Sequence, residues 1–186
     1  MASKALPSPE VLRQLLRYEP DTGKLFWLPR PLEAFKDSYH RREVYWAAWE
    51  TRFSGQEAFT ARGPKGHKVG IVLGAKAIAH RVIWAMQTGA WPDNQIDHIN
   101  RDPSDNRWSN LRDATNAENC RNRGISSRNT SGFKGVSWHK RTKVWHSNIK
   151  KDGRIYFLGQ YTTPELAHAA YVKASMQMHG VFGRAD

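Results

Sequence analysis

The chain has 186 residues, 39% of them hydrophobic and eight of them Trp, with a formal net charge of +12 and a pI near 10.1. That length suits one ordinary domain or two small ones, and the apolar share builds small cores better than one large one. The one cysteine, Cys120, excludes disulfides within the chain and Cys-based zinc sites, while the charge favours a polyanionic partner, nucleic acid first and an anionic membrane surface second.

The start, MASKALPSPEVLRQLL, lacks the apolar core of a signal peptide. No run approaches ~18 apolar residues, so no membrane span is expected. A soluble protein of a reducing compartment, the cytoplasm, is expected. Residues 9–17, PEVLRQLLR, have the spacing of a short helix with Val11, Leu12, Leu15 and Leu16 on one side. A turn at Asp21–Gly23 feeds a strand through Leu25, Phe26 and Trp27. From Tyr39, YHRREVYWAAWETRF predicts a helix with Val44, Ala48 and Trp49 inward. HKVGIVLGAKAIAHRVIWAM reads as a hairpin turning near Gly74–Lys76, then a helix from about Ala79. Residues 1–78 carry no functional signal.

IDHINRDPSDNRWSNLRDAT, from Ile96 to Thr115, ends a short apolar run on an Asp–His pair, crosses an Asn-rich loop and returns to a second run. TNAENCRN follows, and its start has the form of a capping box opening a helix. The order is strand, loop, strand, helix. Phosphodiester hydrolysis needs a base for water and a cation to offset charge on the transition state and leaving oxygen. His98 has the pKa range for the base. Asp97 and Asn119 offer a carboxylate and an amide oxygen, a pair that suits Mg²⁺ or Mn²⁺ better than zinc. Asn110 is the loop residue expected to accept the proton of one ring nitrogen and so fix the imidazole. Taken singly, each residue has a plainer explanation in turn geometry; the set in this order is more specific.

The pattern resembles the HNH endonuclease family, the ββα-metal nucleases. The residues that carry it are DH at 97–98, NL at 110–111 and EN at 118–119, with HRVIW at 80–84 and NR at 106–107 similar to the phage-type branch. The resemblance covers roughly 79–123. It implies His98 as general base, Asn110 as its orienter, Asp97 and Asn119 as ligands of one divalent cation, and double-stranded DNA as substrate. His80 is either a packed or capping residue or a phosphate contact. Arg81, Arg107 and Arg112 are candidates for flanking phosphates.

GISSRNTSG, 124–132, has linker composition, and a domain boundary is expected at 124–131. Beyond it, three short strands turn near Arg141–Thr142 and at Asp152–Gly153. A helix follows, capped either by Thr162 with Glu165 or by Thr163 with Pro164, and stopped by Gly180. Ala167, Ala170, Ala174 and Met178 share one face of it. Between Arg121 and Gln160 ten Lys or Arg stand against one acid, Asp152, which concentrates the charge there. Alternation turns Val136, Trp138, Trp145, Ser147 and Ile149 towards the helix, and Ser137, His139, His146, Asn148 and Lys150 outward. Residues 132–180 resemble an AP2 domain through GFKGVSW, VWHSNIK and FLGQYTTPELAHAAY. That resemblance implies a sheet that enters the DNA major groove. The expected DNA contacts are Arg121, Arg123, Ser137, His139, Lys140, Lys143, His146, Asn148, Lys150 and Arg154.

The expected whole is an α+β chain. It has a mixed N-terminal region (1–78), an HNH core (79–123), a linker and an AP2-like domain (132–180), and it acts as a metal-dependent DNA endonuclease. With one core, a monomer would most simply nick. The alternative is a non-catalytic DNA-binding regulator with a relic core. An RNA-binding accessory role fits the charge but not the sheet.

Overall fold

A computed structural model describes residues 5–122, 124–126 and 128–182. The fold is α+β, with small antiparallel sheets and short helices, and its contacts divide it into two compact units, 1–114 and 115–186. Among the described residues no helix is long and apolar enough to cross a membrane.

The first unit opens with α1 (Pro9–Leu15), where the Ser8 side chain accepts from the Val11 amide and Pro9 fills the first turn. The helix was expected to run to Arg17; it ends at Leu15 because Leu16 leaves the helical region and pairs with Trp27. The hairpin so formed joins β1 (Leu16–Glu19) to β2 (Lys24–Trp27). Then come α2 (Arg42–Phe53), the two-residue strands β3 (Glu57–Ala58) and β4 (Ala61–Arg62), the hairpin β5 (Lys68–Val72) and β6 (Ala75–Ile78), and α3 (Ala79–Thr88). β3 extends the β1–β2 sheet, and β4 pairs with β5. A second hairpin, β7 (Gln95–His98) with β8 (Leu111–Ala114), closes the unit.

α2 packs differently from the expected pattern. Val44 is 54% exposed and Ala48 is also exposed, so neither faces inward. The helix attaches by Trp49 and Phe53, one turn apart, with Trp49 edge-on to Trp27 at 5.3 Å and the Arg30 guanidinium 3.6 Å from the centre of the Trp49 ring. The core joins Leu12, Leu16 and Leu25 from the N-terminal segment to Val82, Ile83 and Ala85 of α3, and to Ile96 and Leu111 of the last hairpin. The N-terminal region is thus part of the same packed body as the β7–β8 hairpin.

The second unit begins with α4 (Asn116–Asn122), whose capping box forms as expected. The Thr115 amide donates to Glu118 Oε2 at 2.8 Å, and the Glu118 amide donates to Thr115 Oγ1 at 3.3 Å. Three antiparallel strands follow, β9 (Val136–His139), β10 (Val144–Lys151) and β11 (Arg154–Tyr161), with β10 central. α5 (Pro164–His179) is capped by Thr163 and ends at Gly180. Val136, Ser147 and Ile149 are buried with Ala167, Tyr171 and Ser175 of α5, as alternation requires. Trp138 departs from expectation: it is 43% exposed, lying edge-on to Trp145 at 5.1 Å. Its ring covers its neighbour rather than entering the core.

Candidate active site

Asp97 and His98 are consecutive on β7 and both 5% exposed. Antiparallel pairing sets Asp97 directly opposite Arg112 and His98 opposite Leu111. Directly opposed side chains stand close enough to interact, and here Arg112 Nε donates to Asp97 Oδ2 at 2.9 Å, with Nη2 of the same guanidinium 2.8 Å from that oxygen. Asp97 is therefore a buried carboxylate with a cation already beside it. Arg112, expected to reach a phosphate, is engaged in this pair.

His98 is held by a different asparagine from the expected one. Its Nε2 lies 3.0 Å from Oδ1 of Asn106, a residue only 1% exposed. An amide oxygen at Nε2 suits the tautomer that carries its proton there and its basic lone pair on Nδ1. Asn110 ties the loop to itself: its Nδ2 donates to Asn100 Oδ1 at 3.0 Å and to the Asp105 carbonyl at 2.8 Å, and its Oδ1 accepts from the Asn100 amide at 2.9 Å. The expectation that Asn110 orients the imidazole is corrected. The loop folds back so that Asn106 reaches the ring, while Asn110 closes the loop at its base.

That loop is a dense polar network. Asn100 donates to Asp105, Asp102 accepts from Ser104, and Asp105 pairs with Arg107. The Arg107 guanidinium holds the Asp105 carboxyl down at about 2. The N-terminal hairpin buttresses it from the other side. The Tyr18 hydroxyl donates to the Asn106 carbonyl at 2.8 Å, and the Trp108 amide donates to the Pro20 carbonyl at 3.1 Å. Gly23, at φ +70, lets its backbone approach so closely that an added Cβ would stand 2.5 Å from the Arg107 nitrogen.

His80, in the first turn of α3, is 5% exposed, which leaves it no surface for the phosphate contact considered for it. Its ring centre is 4.9 Å from that of His98 and 4.9 Å from that of His67, which in turn is 5.6 Å from that of His98. Burial, then the neighbouring His98, pushes the His80 pKa down to about 3, and the same two causes lower that of His67. His67 belongs to no sequence motif and immediately precedes β5. Arg81 donates to the carbonyls of Asn94 and Pro92 at 3.0 and 2.9 Å, so it braces the approach to β7.

Asn119 lies on α4 in the second unit, with Arg121 on the same helix; Arg123 falls outside the described residues. On the sheet of that unit, Ser137, Lys140, Lys143, Lys150 and Arg154 are exposed, while His139, His146 and Asn148 are half-buried. The His139 and His146 rings stack at 4.3 Å, and Phe157, 56% exposed, meets His146 edge-on at 5.2 Å. This aromatic patch went unread in the sequence because Phe157 was assigned no face.

A two-stranded ribbon with Asp–His at the end of its first strand, an Asn-rich loop and a following short helix defines a class. Residues 77–121 match the family model described as HNH endonuclease, and that stretch is an HNH endonuclease domain. Protein 3.8 of Escherichia phage T7 is 31% identical over 106 residues, 56% of this chain and 87% of that protein, and the chain belongs to its family. No solved structure matches the chain.

Proposed function

We propose that the protein is a metal-dependent DNA endonuclease that hydrolyses phosphodiester bonds, with His98 as general base. The observation that carries this is the buried His98–Asn106 pair, next in the chain to the ion-paired Asp97 and inside the HNH match. Asn106 keeps the proton on Nε2, so Nδ1 is the atom that receives a proton from the attacking water. The loop network and the Tyr18 hydroxyl hold Asn106 in place, which fixes the imidazole before substrate arrives.

The residues fit a hard divalent cation. Asp97 is a buried carboxylate, a hard oxygen donor of the kind such an ion takes. The motif adds Asn119 as a second oxygen donor. Mg²⁺ or Mn²⁺ held by these residues would supply Lewis-acid polarisation of the phosphate and offset charge on the leaving oxygen.

We further propose that residues 132–180 are an AP2-like DNA-binding domain, joined by the 124–131 segment to the nuclease core of 79–123. The three-stranded sheet backed by one helix, and the exposed Lys and Arg on it, support this. Lys140, Lys143, Lys150 and Arg154 would meet phosphates, and Asn148 a base edge. The test is conversion of supercoiled plasmid in Mg²⁺, in Mn²⁺ and in EDTA. Metal-dependent nicking or linearisation is expected. Tight DNA binding without cleavage in either metal would instead make the chain a DNA-binding regulator.

A further inference from the structure

The three imidazoles of the first unit form a cluster that the hydrolytic reading does not use as a set. His67 precedes β5, His80 opens α3 and His98 ends β7, so three separate elements converge on one point. One ring nitrogen from each lies within 4.8 Å of the others. Nδ1 of His67 and Nδ1 of His80 are buried and have no hydrogen-bond partner. Buried polar atoms in native proteins are nearly always satisfied, so two orphans on neighbouring rings ask for a ligand. An opposing nitrogen or ring is already braced by oxygen in two of the three cases: His98 Nε2 by Asn106, and His67 by the Pro103 backbone. That outer bracing is what metal-binding imidazoles ordinarily show.

We propose that His67, His80 and His98 form a transition-metal site, taking a Zn²⁺-class ion, whose occupation withdraws His98 from catalysis. The donor set is all nitrogen and neutral, which selects Zn²⁺, Co²⁺, Ni²⁺ or Cu²⁺ and rejects Mg²⁺. Four-coordinate zinc at ~2.0–2.1 Å from each nitrogen sets its ligand atoms ~3.3 Å apart, so the cluster need close by only about an ångström and a half at its widest. Burial keeps His67 and His80 unprotonated near neutrality, so a metal ion meets little competition from protons there. The ion would contribute three coordinate bonds where a proton contributes one hydrogen bond. The inhibitory half of the proposal rests on His98 being the base; the binding half does not.

The experiment uses the full chain stripped of metal and titrated with Co²⁺, read by visible d–d absorption, with Zn²⁺ as competitor. One equivalent should bind, with the absorption of a four- or five-coordinate ion, and Zn²⁺ should displace it. His67→Ala and His67→Gln should each weaken binding roughly tenfold or more. His146→Ala, which breaks the stacked pair in the second unit, should leave Co²⁺ binding unchanged. In parallel, plasmid cleavage in excess Mg²⁺ should be inhibited by Zn²⁺ in the wild type and resist it in His67→Gln. Co²⁺ affinity equal in wild type and both His67 variants, or lost in His146→Ala, overturns the site. Zn²⁺ inhibition undiminished in His67→Gln overturns the inhibitory role. If the wild type shows no cleavage at all, the nuclease reading fails, while the Co²⁺ titration still decides whether the site exists.

Discussion

Asn106→Ala separates chemistry from stability. The substitution removes the hydrogen bond to His98 Nε2, made at 3.0 Å, and takes that partner from a buried ring nitrogen, a cost of ~1–3 kcal/mol. It also removes Asn106 Nδ2, which is buried without a partner, and relieving such a group returns ~1–3 kcal/mol. The space left behind costs about 1 kcal/mol in lost packing. These terms oppose one another, so unfolding free energy should change by less than about 1.5 kcal/mol. Activity should behave otherwise. With no oxygen on Nε2 the ring can rotate and exchange tautomers, and loss of such an orienting partner lowers rates ~10–100-fold. Asn110→Ala is the mirror case: it breaks three hydrogen bonds at the base of the loop, each ~1 kcal/mol, and should destabilise by ~3 kcal/mol. The assays are urea unfolding and single-turnover cleavage of a plasmid in Mg²⁺. Wild-type cleavage by Asn106→Ala, or a large rate loss at unchanged stability in Asn110→Ala alone, would refute the exchange of roles between the two residues.

Gly23→Ala would drive a Cβ to 2.5 Å from the Arg107 backbone at a φ of +70; strain and overpacking together should cost ~2–4 kcal/mol, seen as a lower melting temperature, and an unchanged melt would mean the hairpin does not brace the loop. His80 has its folded pKa at about 3 against ~6.5 unfolded, so the unfolded chain binds the extra proton between those values. In EDTA, stability should therefore be full above pH ~6.5 and fall by up to ~1.4 kcal/mol per unit on acidification towards pH 3; urea unfolding at pH 7 and 5 should show a smaller fall for His80→Leu, and equal falls would contradict the buried, neutral ring. On the exposed sheet, Lys150→Ala should weaken binding to a preferred and a scrambled duplex alike and flatten the salt dependence by about one unit of slope. Asn148→Ala should alter preference between the two duplexes instead, and equal loss on both would assign it to the backbone.

The parts of the fold legible in the sequence are those set by local chemistry. Thr115–Glu118, Thr163–Pro164, Asp152–Gly153 and Gly180 announced caps and turns, and each fell where expected. β1 was missed because Leu16 and Arg17 continue a helical pattern and only the pairing of Leu16 with Trp27 draws them into a strand. α2 was misoriented because Val44 and Ala48 are apolar but the helix attaches through its aromatic residues. At the site, the order Asp97, His98, Asn106, Asn110 was visible, but which asparagine meets the imidazole depends on the path of the loop. His67 was invisible for a stronger reason: it reaches His80 and His98 only through tertiary packing, across 13 and 31 residues of chain.

The most direct measurement is single-turnover cleavage of plasmid DNA by His98→Ala in Mg²⁺, paired with DNA affinity and a thermal melt of the same variant. Removing a general base typically lowers the rate by ~10²–10⁴, and because the imidazole is assigned to activating water rather than to holding DNA, affinity should stay within about twofold. A folded His98→Ala protein that cleaves at the wild-type rate would contradict the account, since it would remove the Asn106-braced imidazole from the chemistry.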